Sequence, residues 1–128
     1  MTGKNPYRKP YRAYRIVEIS DGKVKSLFHG TNGSRTLPVG EWIKADKKMV
    51  HDGSHGIPYR SGFHFLWDLV KAQDFFEKRF RDKENRYVVA CWVRGNIRIK
   101  NKKANPPCWL ADEILFLESD MPEVFHDR

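Results

Sequence analysis

Between Leu66 and Phe80, apolar residues recur at Leu66, Leu69, Val70, Phe76 and Phe80, with Ala72 and Gln73 between them, a spacing that approximates one face of a helix. Asp68 stands near the start of this stretch and Lys78, Arg79 and Arg81 near its end, the charge order that a helix dipole favours. The other apolar runs are short and end in turn residues. A chain with one clear helix and many short strands must close its core with sheets. The expectation is therefore an α+β fold, a mostly antiparallel β-sheet core with one main helix.

The strands follow from the same reading. Tyr14 to Ile19 alternates, Asp21-Gly22 signals a turn, and Val24 to Phe28 returns, which predicts a hairpin. Asn32-Gly33-Ser34-Arg35 is turn chemistry, and Leu37-Pro38-Val39-Gly40 precedes a short apolar piece at Trp42-Ile43. From Asp46 to Pro58 the chain is polar, with Gly53 and Gly56, and reads as a long surface loop of the kind that often carries function. Tyr87 to Val93 is a continuous apolar run, as expected of a buried central strand; Arg94-Gly95-Asn96 turns it toward Ile97 to Lys100. Asn105-Pro106-Pro107 breaks the chain before a last strand at Ile114 to Leu117.

A chain of 128 residues with 40% apolar content suffices for one domain, expected from residue 14 to 128 behind a basic tail at 1–13. No apolar run approaches the roughly 20 residues of a membrane span, and the N-terminus is basic and polar, so a cytoplasmic protein with no membrane partner is expected, as a monomer or small homo-oligomer. Cys91 and Cys108 lie in or beside strands, which suits free thiols better than a disulfide framework or a zinc site. No metal is expected. His51 and His55 lie in a glycine-containing loop, without the helix that presents two ligands on one face.

Lysine and arginine outnumber aspartate and glutamate by 24 to 16, a net charge of +8. The excess gathers in two runs. Lys4 to Arg15 interleaves basic residues, Arg8, Lys9 and Arg12 among them, with three tyrosines, and Arg94 to Lys103 carries Arg94, Arg98, Lys100, Lys102 and Lys103. Such stripes attract phosphates and can stack bases, which makes nucleic acid or a protein with an acidic surface a candidate partner. The same runs can equally be solvated faces that keep a small protein soluble.

Leu27-Phe28-His29-Gly30-Thr31, followed some thirty residues later by Tyr59-Arg60-Ser61-Gly62-Phe63-His64-Phe65 running into the helix, resembles the NAD-binding core of ADP-ribosyltransferases of the diphtheria-toxin and poly(ADP-ribose) polymerase type. Asp112-Glu113-Ile114-Leu115-Phe116 matches the segment in which that family places a glutamate at the start of a late strand. The resemblance spans residues 24 to 118 and rests on about ten positions. It implies a split sheet with NAD as substrate. Breaking the nicotinamide–ribose bond requires holding the carboxamide, fixing the ribose hydroxyls and stabilising oxocarbenium-like charge. The resemblance gives His29, Gly30 and Thr31 the first two tasks. Tyr59, Gly62, His64 and Phe65 then frame the nicotinamide, with His64 where the family most often has a stacking tyrosine. Glu113, with Glu118 as a second candidate, stabilises the charge, and Glu113 and His29 are the catalytic pair. Read without the resemblance, His29-Gly30-Thr31 can be a strand end with turn residues, Phe63 and Phe65 core packing, and Glu113 an exposed strand edge.

Gly40-Glu41-Trp42-Ile43-Lys44-Ala45, Tyr59 to His64 and Leu110-Ala111-Asp112-Glu113 also resemble small proteins of unknown function encoded by bacteriophages. Two functions are therefore expected to compete. One is a phage-encoded mono-ADP-ribosyltransferase acting on a host protein or nucleic acid in host takeover. The other is a noncatalytic binding module of the same fold, such as a counter-defence inhibitor.

Overall fold

In the computed structural model, residues 9–27, 36–46, 49–50 and 59–126 are described. The strands are β1 (Tyr11–Ser20), β2 (Lys23–Lys25), β3 (Thr36–Leu37), β4 (Trp42–Lys44), β5 (Met49–Val50), β6 (Tyr59–Arg60) and β7 (Phe63–Phe65). After helix α1 (Leu69–Arg79) come β8 (Arg86–Arg94), β9 (Arg98–Asn101), β10 (Cys108–Ala111) and β11 (Glu113–Leu115), then a single 3₁₀ turn at Glu118–Asp120 and helix α2 (Glu123–His126). The α+β expectation holds: the described chain is mostly antiparallel sheet with one main helix.

Among the described residues three sheets form: six strands in the order β3-β2-β1-β8-β11-β4, three in the order β7-β10-β9, and the pair β5-β6. The predicted hairpin is β1 and β2, closed by Asp21 and Gly22 at φ 55° and 69°, the left-handed pair that matches strand twist. Its first strand begins at Tyr11, so Tyr11, Arg12 and the fully buried Ala13 belong to the sheet and not to the tail. β8 is central as expected, paired with β1 on one side and β11 on the other. Val89, Cys91 and Val93 turn into the core, while Val88, Ala90 and Trp92 lie half-covered on its other face.

The two larger sheets are joined through the backbone. Tyr14 and Leu66 exchange N–H to C=O hydrogen bonds of 2.9 and 2.8 Å. At the other side β10 runs into β11 through one residue, Asp112, whose N–H donates to the Gly95 carbonyl at 2.9 Å. Gly95 has φ +84°, and a Cβ there would meet the Cβ of Asp112 at 2.9 Å, so the bend needs glycine both for conformation and for space. β1, β8, β11, β10 and β7 thus form a closed circuit of backbone, made by the β1–β8, β8–β11 and β10–β7 ladders, the chain running from β10 into β11, and the Tyr14–Leu66 bridge, around a core of Phe63, Phe65, Cys91, Val93, Ala111 and Ile114.

The helix departs from its expected footprint. Leu66 belongs to the bridge with Tyr14, and Asp68 caps the helix by accepting from the Val70 N–H at 2.9 Å. The buried face also differs from the one the apolar spacing marks: Ala72 is fully buried where α1 packs on β1 and β8, and Leu69 and Val70 are exposed. A small side chain at the contact lets the helix backbone approach the sheet closely, which the larger residues would prevent.

Candidate functional site

His29, Gly30, Thr31 and Arg8 lie outside the described residues, as do His51 and His55; Tyr59 is described as backbone in β6, paired with Val50. The remaining residues of the resemblance sit around the bend at Asp112. β7 pairs with β10 in a register that sets Phe63 against Ala111, His64 against Leu110 and Phe65 against Trp109. Phe63 and Phe65 are both buried in the core, and His64 between them is half-buried on the opposite side of the strand, as alternation requires. Phe65 is therefore core packing.

Gly62 has a definite structural task. A Cβ at this position would lie 2.7 Å from Nη2 of Arg98, 3.0 Å from the Ala111 carbonyl oxygen and 3.3 Å from Leu110 Cβ. Only a glycine lets β10 and a guanidinium close over it. Arg98 donates from Nη1 to the Asn96 carbonyl at 2.7 Å and to Asp112 Oδ1 at 3.0 Å, and from Nη2 to the Ser61 carbonyl at 2.7 Å. It thereby ties the segment before β7 to the bend before β11. Expected from sequence to meet an acidic partner, Arg98 is turned inward, because three oxygens of its own chain converge on its fork.

Glu113 opens β11 as expected of a late-strand glutamate. It stands opposite Arg94 on β8 and Lys44 on β4. Its Oε1 accepts from Arg94 Nη2 at 3.0 Å, and both side chains are more than two-thirds covered. The Arg94 guanidinium lies over the Trp42 ring, 3.9 Å from its centroid, a cation–π contact that fixes it in place. Oε1 is thus engaged, while Oε2 of Glu113 has no partner among the described residues. Glu118, the second candidate, is exposed in the 3₁₀ turn, 3.9 Å from Nδ1 of His126.

Behind this region Arg15 projects from the core side of β1. It donates from Nη1 to the His64 carbonyl at 2.9 Å, lies over the Phe63 ring at 5.9 Å, and keeps a buried Nε with no partner among the described residues. Burial lowers its pKa from the usual arginine value, against the raising influence of Cys91 and Cys108 nearby. Arg15 supports the backbone of His64 from within. In the sequence it was one basic residue in a basic run, and nothing there marked it as buried; the alternation of β1 around Ala13 and Val17 is the signal that finds it.

The tail cations divide. Arg12 forms a two-pronged pair with Asp120, at 2.8 and 2.6 Å, and stacks over Trp92 at 4.9 Å. This holds the Asp120 carboxyl below its usual range, first through the hydrogen bond. Lys9, Lys102 and Lys103 are exposed and Lys100 is half-buried. Cys91 is buried and Cys108 half-buried, and neither forms a disulfide; burial pushes the Cys91 thiol up to about 12. Among the described residues no group of three or more His, Cys, Asp or Glu is arranged to hold a metal ion, and no helix is long and apolar enough to cross a membrane. No protein-family model, curated protein or solved structure matches the chain.

Proposed function

We propose that the chain is an NAD-dependent mono-ADP-ribosyltransferase-like protein, phage-encoded and directed at a host protein or nucleic acid in the host cytoplasm. The observation behind this reading is the bend at Asp112. It joins the strand paired with Phe63-His64-Phe65 to the strand opened by Glu113, with Leu110, the partner of His64, three residues ahead of Glu113. NAD is the substrate in this reading. His64, half-buried between two buried phenylalanines, offers a planar ring to the nicotinamide, and Arg15 steadies the strand that carries it. Arg94 holds one oxygen of Glu113 and leaves the other for a ribose hydroxyl, from which the carboxylate draws positive charge onto the anomeric carbon as nicotinamide departs. His29 takes a second ribose hydroxyl.

Incubation of the protein with labelled NAD and host lysate tests this directly. Label transfer or nicotinamide release is the expected result. Silence together with absence of NAD binding overturns it.

A second reading is favoured by the same Arg94. Its charge beside Glu113 opposes the growth of positive charge on a substrate, which suits a module that keeps the fold and binds nucleic acid or a host factor without turnover.

A further inference from the structure

Among the described residues, four of the six large apolar side chains left in solvent gather where Tyr11 meets Trp67 and the chain enters α1. Trp67 is 39% exposed, Tyr11 45%, Leu69 39% and Val70 72%. Tyr11 and Trp67 meet edge to face at 5.7 Å, and Leu69 and Val70 continue from Trp67 into the first turn of α1. The Trp67 indole is held from below by Phe65 at 4.8 Å and from the side by Trp109 at 5.8 Å. It is a supported ring with one part open to solvent.

Val70 also lines a groove of about 470 Å³ between α1 and the Asn105-Pro106 segment that leads into β10. That volume lies within the range of about 300–1,000 Å³ common to ligand sites. Phe75 and Pro106 give it apolar walls, and its charges are Lys71, Lys78 and Arg79 against one carboxylate, Asp74, which sits 3.2 Å from Lys78. Lys102 and Lys103 are exposed on the same connection between β9 and β10.

We infer that this surface, from Trp67 along the outer side of α1, binds single-stranded nucleic acid, with bases stacked on Trp67 and Tyr11 and phosphates on Lys71, Lys78 and Arg79. An apolar protein segment in the groove would desolvate three cations against one carboxylate. A duplex would offer phosphates but keep its base faces stacked away from the ring. A single strand supplies both chemistries, and base stacking on an aromatic together with a cationic track is the usual means of holding it. The inference rests on the second reading above for its partner class and requires no NAD chemistry.

The test is fluorescence anisotropy with labelled oligonucleotides, single-stranded DNA, single-stranded RNA and duplex DNA of equal length, against the wild type and four variants. The wild type is expected to bind a single strand, DNA or RNA, at least tenfold more tightly than duplex; the stronger of the two identifies the source. Trp67→Ala should weaken binding about tenfold or more and Trp67→Phe should restore most of it, which separates lost stacking from lost folding. Lys71→Glu with Lys78→Glu, both on exposed helix positions, should weaken binding and flatten the salt dependence by about 0.7 in log–log slope for each phosphate contact removed. Lys23→Glu, in β2 and opposite Ser20 at the other end of β1 from Tyr11, should change little.

Equal loss in Lys23→Glu, equal affinity for duplex, or unchanged binding by Trp67→Ala overturns the surface while leaving a nucleic-acid partner standing. Absence of binding to every oligonucleotide overturns both.

Discussion

Oε1 of Glu113 accepts a hydrogen bond from Nη2 of Arg94 at 3.0 Å, between residues that stand directly opposite one another on neighbouring strands. The pair is more than two-thirds covered, so neither charge is fully hydrated and each depends on the other. Glu113→Gln is expected to lower any transfer activity by about a hundredfold or more, because an amide cannot stabilise developing positive charge. It should also lower stability by about 1–2 kcal/mol, since a charge-assisted hydrogen bond is replaced by a weaker one. Arg94→Met should show a similar loss of stability, and the double variant less than the sum. Urea unfolding of the three variants checks the stability side, and additive losses would show that the two residues are not coupled.

Gly62→Ala should destabilise the protein by about 1–3 kcal/mol, as overpacking of a filled site does. The added methyl would sit 2.7 Å from Arg98 Nη2 and 3.0 Å from the Ala111 carbonyl oxygen. The guanidinium can shift but the strand backbone cannot easily do so. Combining the change with Arg98→Ala should therefore cost less than the two changes separately, a result measurable by thermal or urea denaturation.

Asp120 carries a pH dependence. Its carboxyl is held below the usual value by the hydrogen bond from Arg12, so the folded state binds this proton less readily than the unfolded chain. The contribution is complete above the ordinary aspartate value of about 4 and is lost as pH falls from there through the lowered folded value. Because both groups are partly exposed, it should amount to about 1 kcal/mol or less. Unfolding midpoints of the wild type and Asp120→Asn should differ at pH 7 and converge toward pH 3; a gap constant with pH would place the effect elsewhere.

Cys91 should resist alkylation in the native protein. Burial pushes its thiol up to about 12, and only the thiolate reacts, so at pH 8 both access and charge state protect it. Cys108, half-buried, should take up iodoacetamide first, with Cys91 following only on unfolding; mass spectrometry of a time course distinguishes the two. The raised folded value also means that stability is lost as pH climbs from about 9 toward about 12, a change that Cys91→Ala should remove.

The hairpin at Asp21-Gly22, the central position of β8 and the existence of α1 were legible because each rests on local chemistry: a turn pair, an apolar run, a helical period with charges in order. The six- and three-stranded division was not, because the joint at Tyr14 and Leu66 is a contact between residues 52 positions apart that leaves no periodic trace. Arg94, Arg98, Arg12 and Arg15 read alike in the sequence as positive charge. The fold gives each a different partner, and only strand register decides which. Glu113 was found by a pattern, whereas its ion pair depends on which residue of β8 lies opposite. The exposed Trp67 was hidden for another reason: it follows a strand that reads as core, and its setting is made by Tyr11, Phe65 and Trp109, ring contacts that leave no periodic trace.

The closed circuit of backbone has a bearing on how the protein behaves at high concentration. β1 and β8, ten and nine residues long, are the segments best able to recruit another chain by edge-to-edge pairing; they pair with each other along most of their length, while β2 covers the other side of β1 only over Glu18–Ser20 and β11 the other side of β8 only over Trp92–Arg94. The strands left at the margins of the two larger sheets are β3, β4, β7 and β9, of two, three, three and four residues, and Leu66, next after β7, is already paired with Tyr14. Margins this short offer a poor template for growth of an intermolecular sheet. A cut or substitution that frees Leu66 from Tyr14 would uncover the side of β1 that the bridge occupies, and with it a first foothold for aggregation.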